Sequence, residues 1–327
     1  MKIATVTLNP AIDQTVRIDN FRTNTVNRGQ SIHLQAGGKG VNVASFLADA
    51  SNGLLANDGL INGAPTVAAT GFLGQDNVEI FERFFALQHI DDAFVRIPGS
   101  TRTGVKIVDE ARRETTDINL PGQMPPEDAV DRLLKRIEQL STSSDWFVLA
   151  GSLPPGLPVT IYATIIDLLK AHGKFVALDT SHEALHKAIQ SGPTIVKPNI
   201  DELQQLVGHS LTDETAIEQA ARQLLATGSQ LVVISMGEKG AMFVNQETSF
   251  VATPPTVPVK STVGAGDAMV AGLIVGHIQG LSLPDCARLA TAFSIGAITR
   301  TDLHLPAAET LQAYAQQVTI RTYQHSS

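Results

Sequence analysis

The 327-residue sequence predicts an α/β protein, with a mostly parallel central sheet between helical layers and a small β-sheet lid. Three observations carry that expectation. From about residue 120, short apolar runs alternate with helical stretches, as in a parallel sheet covered on both faces. Residues 15–35 and 93–119 break this rhythm with short alternating stretches and no helix between them. A hydrophobic content of 43% against 17% charged residues suits one large buried core.

Taken in order, Met1-Lys2-Ile3-Ala4-Thr5-Val6-Thr7-Leu8 reads as a strand with no signal-peptide pattern ahead of it. Residues 15–35 follow as a first antiparallel insertion, and residues 36–44 lead into an apolar helix. Residues 49–65, rich in Gly and Asn, read as an irregular surface loop, about ten residues longer than usual. The second antiparallel insertion, 93–119, shows clear alternation in Thr103-Gly104-Val105-Lys106-Ile107-Val108. Trp146–Ala150 is a buried-type strand, with a helix expected near 160–171. Phe175–Asp179, residues 194–197 and Leu231–Ser235 repeat the pattern, each followed by helical sequence. The whole is expected as one domain over 1–327, with lid segments at about 13–36 and 93–120. A small exposed sheet buries little alone, so the outer face of the lid is also a candidate homodimer surface. Ligands in such folds sit at the carboxyl ends of the strands.

The formal net charge of −8 argues against nucleic acid as a partner, and no long basic run appears. No apolar run is long enough to span a bilayer, so a soluble cytoplasmic protein is expected. Cys286 is the only cysteine, which excludes an intrachain disulfide; inert packing in a C-terminal helix is expected of it. The nine histidines show no metal-ligand spacing, and His182 and His186 read as a solvated helix face.

The chemistry concentrates in Val263-Gly264-Ala265-Gly266-Asp267. This is a glycine-paved helix start, whose unpaired N–H groups and partial positive charge would receive an anion. A carboxylate in such a nest needs a task, and accepting the proton of a hydroxyl that attacks a phosphate is one. Phosphoryl transfer follows. A second glycine cluster, Gly37-Gly38-Lys39-Gly40-Val41-Asn42, is either a tight strand-to-helix turn or a ligand cradle. In the latter, Lys39 suits phosphate and Asn42 suits hydroxyls. It is not a Walker A loop, since the Gly-Lys-Ser/Thr ending is absent. Asp13, placed at the end of the first strand, is equally a turn residue or an acceptor for sugar hydroxyls. Arg28, Arg102 and Lys106 lie in the lid segments, where isolated basic residues are more often solvated. Lys197-Pro198-Asn199-Ile200-Asp201-Glu202 reads first as a capped helix start and second as a holder of hydrated Mg²⁺. Ser235-Met236-Gly237 is a further turn after a strand, able to lie against a nucleotide.

Together these motifs, with Asn9-Pro10-Ala11-Ile12-Asp13 and Ala150-Gly151-Ser152-Leu153-Pro154-Pro155-Gly156, resemble the ribokinase-like sugar kinases, specifically the phosphofructokinase B group. The resemblance spans essentially the whole chain and implies a three-layer sandwich. It implies that Asp267 is the base and that the 263–266 amides, including Gly264, Ala265 and Gly266, form the anion hole. Asp13, Gly38, Asn42 and Ser152 would hold the sugar. Arg28, Lys39, Arg102 and Lys106 would receive its phosphate, Arg102 foremost. Lys197, Asn199, Glu202, Ser235, Gly237 and Thr262 would line ATP, with Asn199 and Glu202 holding Mg²⁺ through water. An adenine wall near 292–296 and a monovalent cation near the anion hole complete the set. Thr101-Arg102-Thr103-Gly104-Val105-Lys106-Ile107 and Thr116-Asp117-Ile118-Asn119 are nearest to members that phosphorylate fructose 1-phosphate at the 6-hydroxyl. Tagatose 6-phosphate and fructose 6-phosphate are the alternative acceptors. A non-catalytic sugar-phosphate sensor is the alternative of another class, although it has no need of Asp267. A nucleotide-dependent dehydrogenase is set aside, because no Gly-x-Gly-x-x-Gly follows the first strand.

Overall fold

A computed structural model describes residues 2–52 and 66–323. The chain opens with β1 (Lys2–Thr7), then β2 (Ala11–Arg17) and β3 (Ser31–Gly37), and enters helix α1 (Lys39–Asn52). Next come β4 (Thr66–Gly74), α2 (Glu79–Gln88), β5 (Ile90–Asp92), β6 (Val95–Ile97), β7 (Thr103–Asp109) and β8 (Glu114–Asn119). Regular alternation follows: α3 (Ala129–Ser141), β9 (Trp146–Ala150), α4 (Ile161–Ala171), β10 (Phe175–Asp179), α5 (His182–Ile189), β11 (Ile195–Val196) and α6 (Ile200–Val207). Then α7 (Glu214–Leu225), β12 (Leu231–Ser235), β13 (Ala241–Val244) and β14 (Ser249–Thr253) lead to α8 (Ala265–Ile278). Helices α9 (Leu283–Ile298) and α10 (Ala308–Gln317) and strand β15 (Thr319–Thr322) complete it.

The large sheet runs β15-β14-β13-β12-β11-β10-β9-β1-β4-β5, with β6 also paired to β4. Strands β5 through β12 along this path are parallel, and only β13, β14 and β15 are antiparallel. Period-two alternation splits the core between the two faces. Ile3 packs with α1, α8 and α9, whereas Ala4 and Val6 pack with α3, α4, α5 and α7. Strand order reverses at β1, which lies between β4 and β9, and this opens a crevice beyond the carboxyl ends.

The second sheet has order β3-β2-β7-β8. Its register puts Asp13, Gln35, Gly104 and Lys106 on one face. Leu34, Ile32, Val16, Val105, Ile107 and Ile118 share the other. Ile32 is 66% exposed and Leu34 51%, so an apolar face stands open to solvent.

Four expectations need correction. Residues 95–97 form β6 of the large sheet, so the second insertion starts later than residue 93: a parallel edge holds them beside β4. The small sheet is not wholly antiparallel, because β2 and β7 pair in parallel. Leu231–Ser235 is followed by one 3-10 turn at Gly237–Lys239 and then a hairpin of buried apolar strands, not an α-helix. Helix α1 continues to Asn52, so residues 49–52 are not loop; the rest of the 49–65 segment lies outside the described residues. Cys286 is buried in α9, its thiol pushed up to about 12 by burial, in keeping with inert packing. Among the described residues no helix is long and apolar enough to cross a membrane.

Candidate active site

Helix α8 is buried almost all round from Asp267 to Gly276, which fixes its N-terminus at the crevice. Gly264 caps it in the left-handed region, at φ 80°, a conformation that an L side chain would strain. The Val263 N–H donates to Ser261 Oγ at 3.2 Å. Among the described residues the amides of Gly264, Gly266 and Asp267 have no protein acceptor, whereas the Ala265 N–H reaches the Thr262 carbonyl at 3.5 Å. Asp267 is 6% exposed and accepts from Asn42 Nδ2 at 2.8 Å, a bond that joins α1 to α8.

Below the nest lies a group that sequence reasoning missed. Asp179 ends β10 and is buried between two ammonium groups, Lys39 Nζ at 2.9 Å and Lys197 Nζ at 3.4 Å. Burial alone would raise its carboxyl, but Lys197 and Lys39 outweigh burial and hold it below the usual range. Lys39 is raised in turn, because Asp179 and Asp267 overcome its desolvation. The Lys197 ammonium stands 3.2 Å from where a β-carbon on Gly266 would be, close under the first helical turn. Two ammonium groups thus meet at Asp179, one of them directly beside the helix N-terminus. Burial first, and then the charge of Asp179, push the Asp267 carboxyl up to about 6, against the pull of Lys39, Asn42 and Lys197. A carboxylate tuned near neutrality is a competent general base.

The other expected residues fall into three groups. Asp13 lies within β2 rather than at the end of the first strand, which stops at Thr7. Its side chain fills the space above Gly37, where a β-carbon would collide with Oδ2. Burial raises its carboxyl, opposed by the charges of Lys106 and Arg102, so these three share one environment. Arg102 precedes β7 and donates to the Leu120 carbonyl at 3.2 Å and the Asn9 carbonyl at 3.3 Å. Lys106 stands 3.8 Å from Asp117. Ser152, on the turn after β9, accepts from Asn9 Nδ2 at 3.1 Å. Gly38 turns the chain from β3 into α1. Arg28 is exposed on the β2–β3 connection.

Along the remaining strand ends, Asn199 caps α6 in a full capping box: its side chain accepts the Glu202 N–H, and Glu202 accepts the Asn199 N–H. The structural reading of this pair therefore holds. Ser235 bridges to Asn199, which brings the end of β12 and Gly237 beside α6. Thr262 is exposed just before the nest. Residues 292, 293, 295 and 296 are buried in α9, so only Ser294 of the expected adenine wall is partly open.

The donors fit a phosphate anion, since three unpartnered amides open a helix whose first turn lies beside the Lys197 ammonium. For Mg²⁺ the fit is looser. No described cluster of three His, Cys, Asp or Glu could hold a metal, and the capping box occupies Asn199 Oδ1 and one Glu202 oxygen. Such a set suits an ion that keeps most of its water.

A buried carboxylate at a helix start with unpartnered amides, beside two ammonium groups, fits a phosphoryl-transfer site. The chain belongs to the pfkB family of carbohydrate kinases, whose model matches residues 6–310. It is 46% identical over 323 residues to 1-phosphofructokinase of Rhodobacter capsulatus, covering 98% of each chain. With 1-phosphofructokinase of Xanthomonas campestris it shares 43% over 300 residues, 90% of each. Phosphofructokinase-2 from Escherichia coli in complex with fructose-6-phosphate superposes with a TM-score of 0.85 at 27% identity, over 96% of this chain and 98% of that one. That enzyme has also been solved with potassium and in a tetrameric inhibited form.

Proposed function

We propose that this chain transfers the γ-phosphoryl group of ATP to the 6-hydroxyl of fructose 1-phosphate, giving fructose 1,6-bisphosphate and ADP. The observation that carries the reading is Asp267, a buried base at the third position of α8 beside unpartnered amides. Asp267 takes the proton of the hydroxyl, the oxygen so freed bonds to the γ-phosphorus, and the bond to the β–γ bridging oxygen breaks. Charge that develops on the phosphoryl oxygens meets the Gly264, Gly266 and Asp267 amides together with Lys39 and Lys197. Lys39 is reassigned here, from the phosphate of the sugar to the phosphoryl in flight, because its ammonium lies on Asp179.

Asp13, Gly38, Asn42 and Ser152 would hold the sugar, and Arg28, Arg102 and Lys106 its phosphate. Lys197, Ser235, Gly237 and Thr262 would line the nucleotide. Mg²⁺, when bound, neutralises phosphate charge, and Glu202 with Asn199 would hold it largely through water. A monovalent cation near the 260–264 loop belongs to the proposal, supported by the potassium complex of the E. coli neighbour. The acceptor assignment draws on the 46% identity to a 1-phosphofructokinase. Such chemistry suits the cytoplasm. A coupled ADP-release assay over fructose 1-phosphate, fructose 6-phosphate and tagatose 6-phosphate tests it. The highest kcat/KM is expected with fructose 1-phosphate, and dominance of either 6-phosphosugar would overturn the acceptor.

The reading includes one domain with the small sheet as lid, closing its Asp13 face over the sugar to exclude water. It also includes a homodimer through the opposite, apolar face of that sheet. A double variant, Ile32→Lys with Leu34→Lys, is expected to halve the mass seen by light scattering. An unchanged mass would place the interface elsewhere.

A further inference from the structure

Helix α1 holds more of the site than Asn42. Asn42, Ser45, Phe46 and Asp49 recur at i, i+3, i+4 and i+7, which lines them along one stripe of the helix. Each touches a different part of the machinery. Asn42 binds Asp267. Ser45, fully buried, donates from Oγ to the Leu303 carbonyl at 3.1 Å. The Phe46 ring lies 3.4 Å from where a β-carbon on Gly264 would stand, and Leu303 Cδ2 lies 3.0 Å from that point. Asp49 accepts the Leu305 N–H at 2.8 Å and keeps both oxygens 3.2 Å from His304 Nδ1. Residues 303–305 therefore form a strap across α1 that bears on Gly264 through Leu303. Ahead of it, the Ile298 carbonyl accepts the N–H groups of Lys260 at 2.8 Å and Ser261 at 3.3 Å. The loop that enters the nest is thus tied to the helix end that leads into the strap.

We infer that Asp49 is a positioning residue for phosphoryl transfer: it fastens the 303–305 strap to α1 and, through Leu303, fixes the Gly264 cap from which the nest amides project. Its distance along the stripe from Asn42 means it acts on the cap and never on substrate. The inference rests on the reading of the α8 N-terminus as the anion cradle. A cradle that serves the transition state should lose kcat, not acceptor affinity, when its cap loosens.

The test compares Asp49→Ala and Asp49→Asn with wild type and with Asp267→Asn, well below the Tm of every variant. Asp49→Ala is expected to lose about tenfold in kcat, with KM for fructose 1-phosphate within about twofold; ångström-scale misplacement can cost about a hundredfold. Asp49→Asn keeps an oxygen for the Leu305 N–H and is expected to recover to within about threefold of wild type. A lowered Tm with unchanged kcat in Asp49→Ala would overturn the positioning role. Wild-type turnover in Asp267→Asn would instead remove the proposed reaction at the α8 N-terminus, and the inference with it.

Discussion

Asp267→Asn is expected to lower kcat by about 10²–10⁴ while KM for the phosphosugar changes little, the signature of a lost general base. The amide can still receive the Asn42 contact after a flip, so the nest stays formed. Wild-type turnover in this variant would remove Asp267 from the chemistry. A second consequence concerns pH. Because burial and Asp179 push this carboxyl up to about 6, kcat/KM should fall with unit slope below that pH. Its folded pKa lies above the unfolded one. The contribution to stability is therefore present when the group is protonated and is lost as pH rises through about 6. At neutral pH the ionised base costs stability. The asparagine variant should accordingly melt higher than wild type at pH 7.5, with the gap closing towards pH 4. Activity and stability then move in opposite directions at one residue, as in a site strained for function.

Asp179→Asn is the second large effect. It leaves Lys39 and Lys197 without their carboxylate partner, and Lys197 is buried. Removing one member of a buried ion pair costs about 3–5 kcal/mol. The lower end applies here, because the Lys39 side chain is 40% exposed and solvent screens part of its charge. Urea titration at pH 7.5 measures the loss. The acid limb of kcat/KM should also move to lower pH, since Asp179 raises Asp267 and the two lysines lower it. An acid limb that stays in place would mean the two carboxyls do not interact.

Much of this arrangement can be read from the chain. Trp146–Ala150 is an unbroken apolar run and becomes a strand buried at all five positions. Asn199 and Glu202 stand at capping-box spacing and form one. The glycines before Asp267 suit a helix start, and Gly264 does take the left-handed cap that such a start can use. What escaped the sequence depends on contacts distant along the chain. Asp179 carries no motif. It is an acid ending an apolar strand, and its partners are 140 and 18 residues away, in Lys39 and Lys197. An acid closing a strand of a parallel sheet is the one signal that marks it, since ligand crevices form there. The β13–β14 hairpin was hidden because short apolar runs read alike as strand or buried helix. Parallel pairing of β2 with β7 joins segments about 90 residues apart, and no local pattern encodes it. The strap over Gly264 is equally non-local: Asp49 and Leu305 meet only because α1 and α9 both pack on α8.

The most direct measurement is ³¹P and ¹³C NMR of the product formed from ATP and fructose 1-phosphate by the purified protein, read against ADP released. The account predicts fructose 1,6-bisphosphate in one-to-one ratio with ADP, and its loss in Asp267→Asn. Binding of fructose 1-phosphate without ADP, or ADP without a new phosphate at carbon 6, would contradict it.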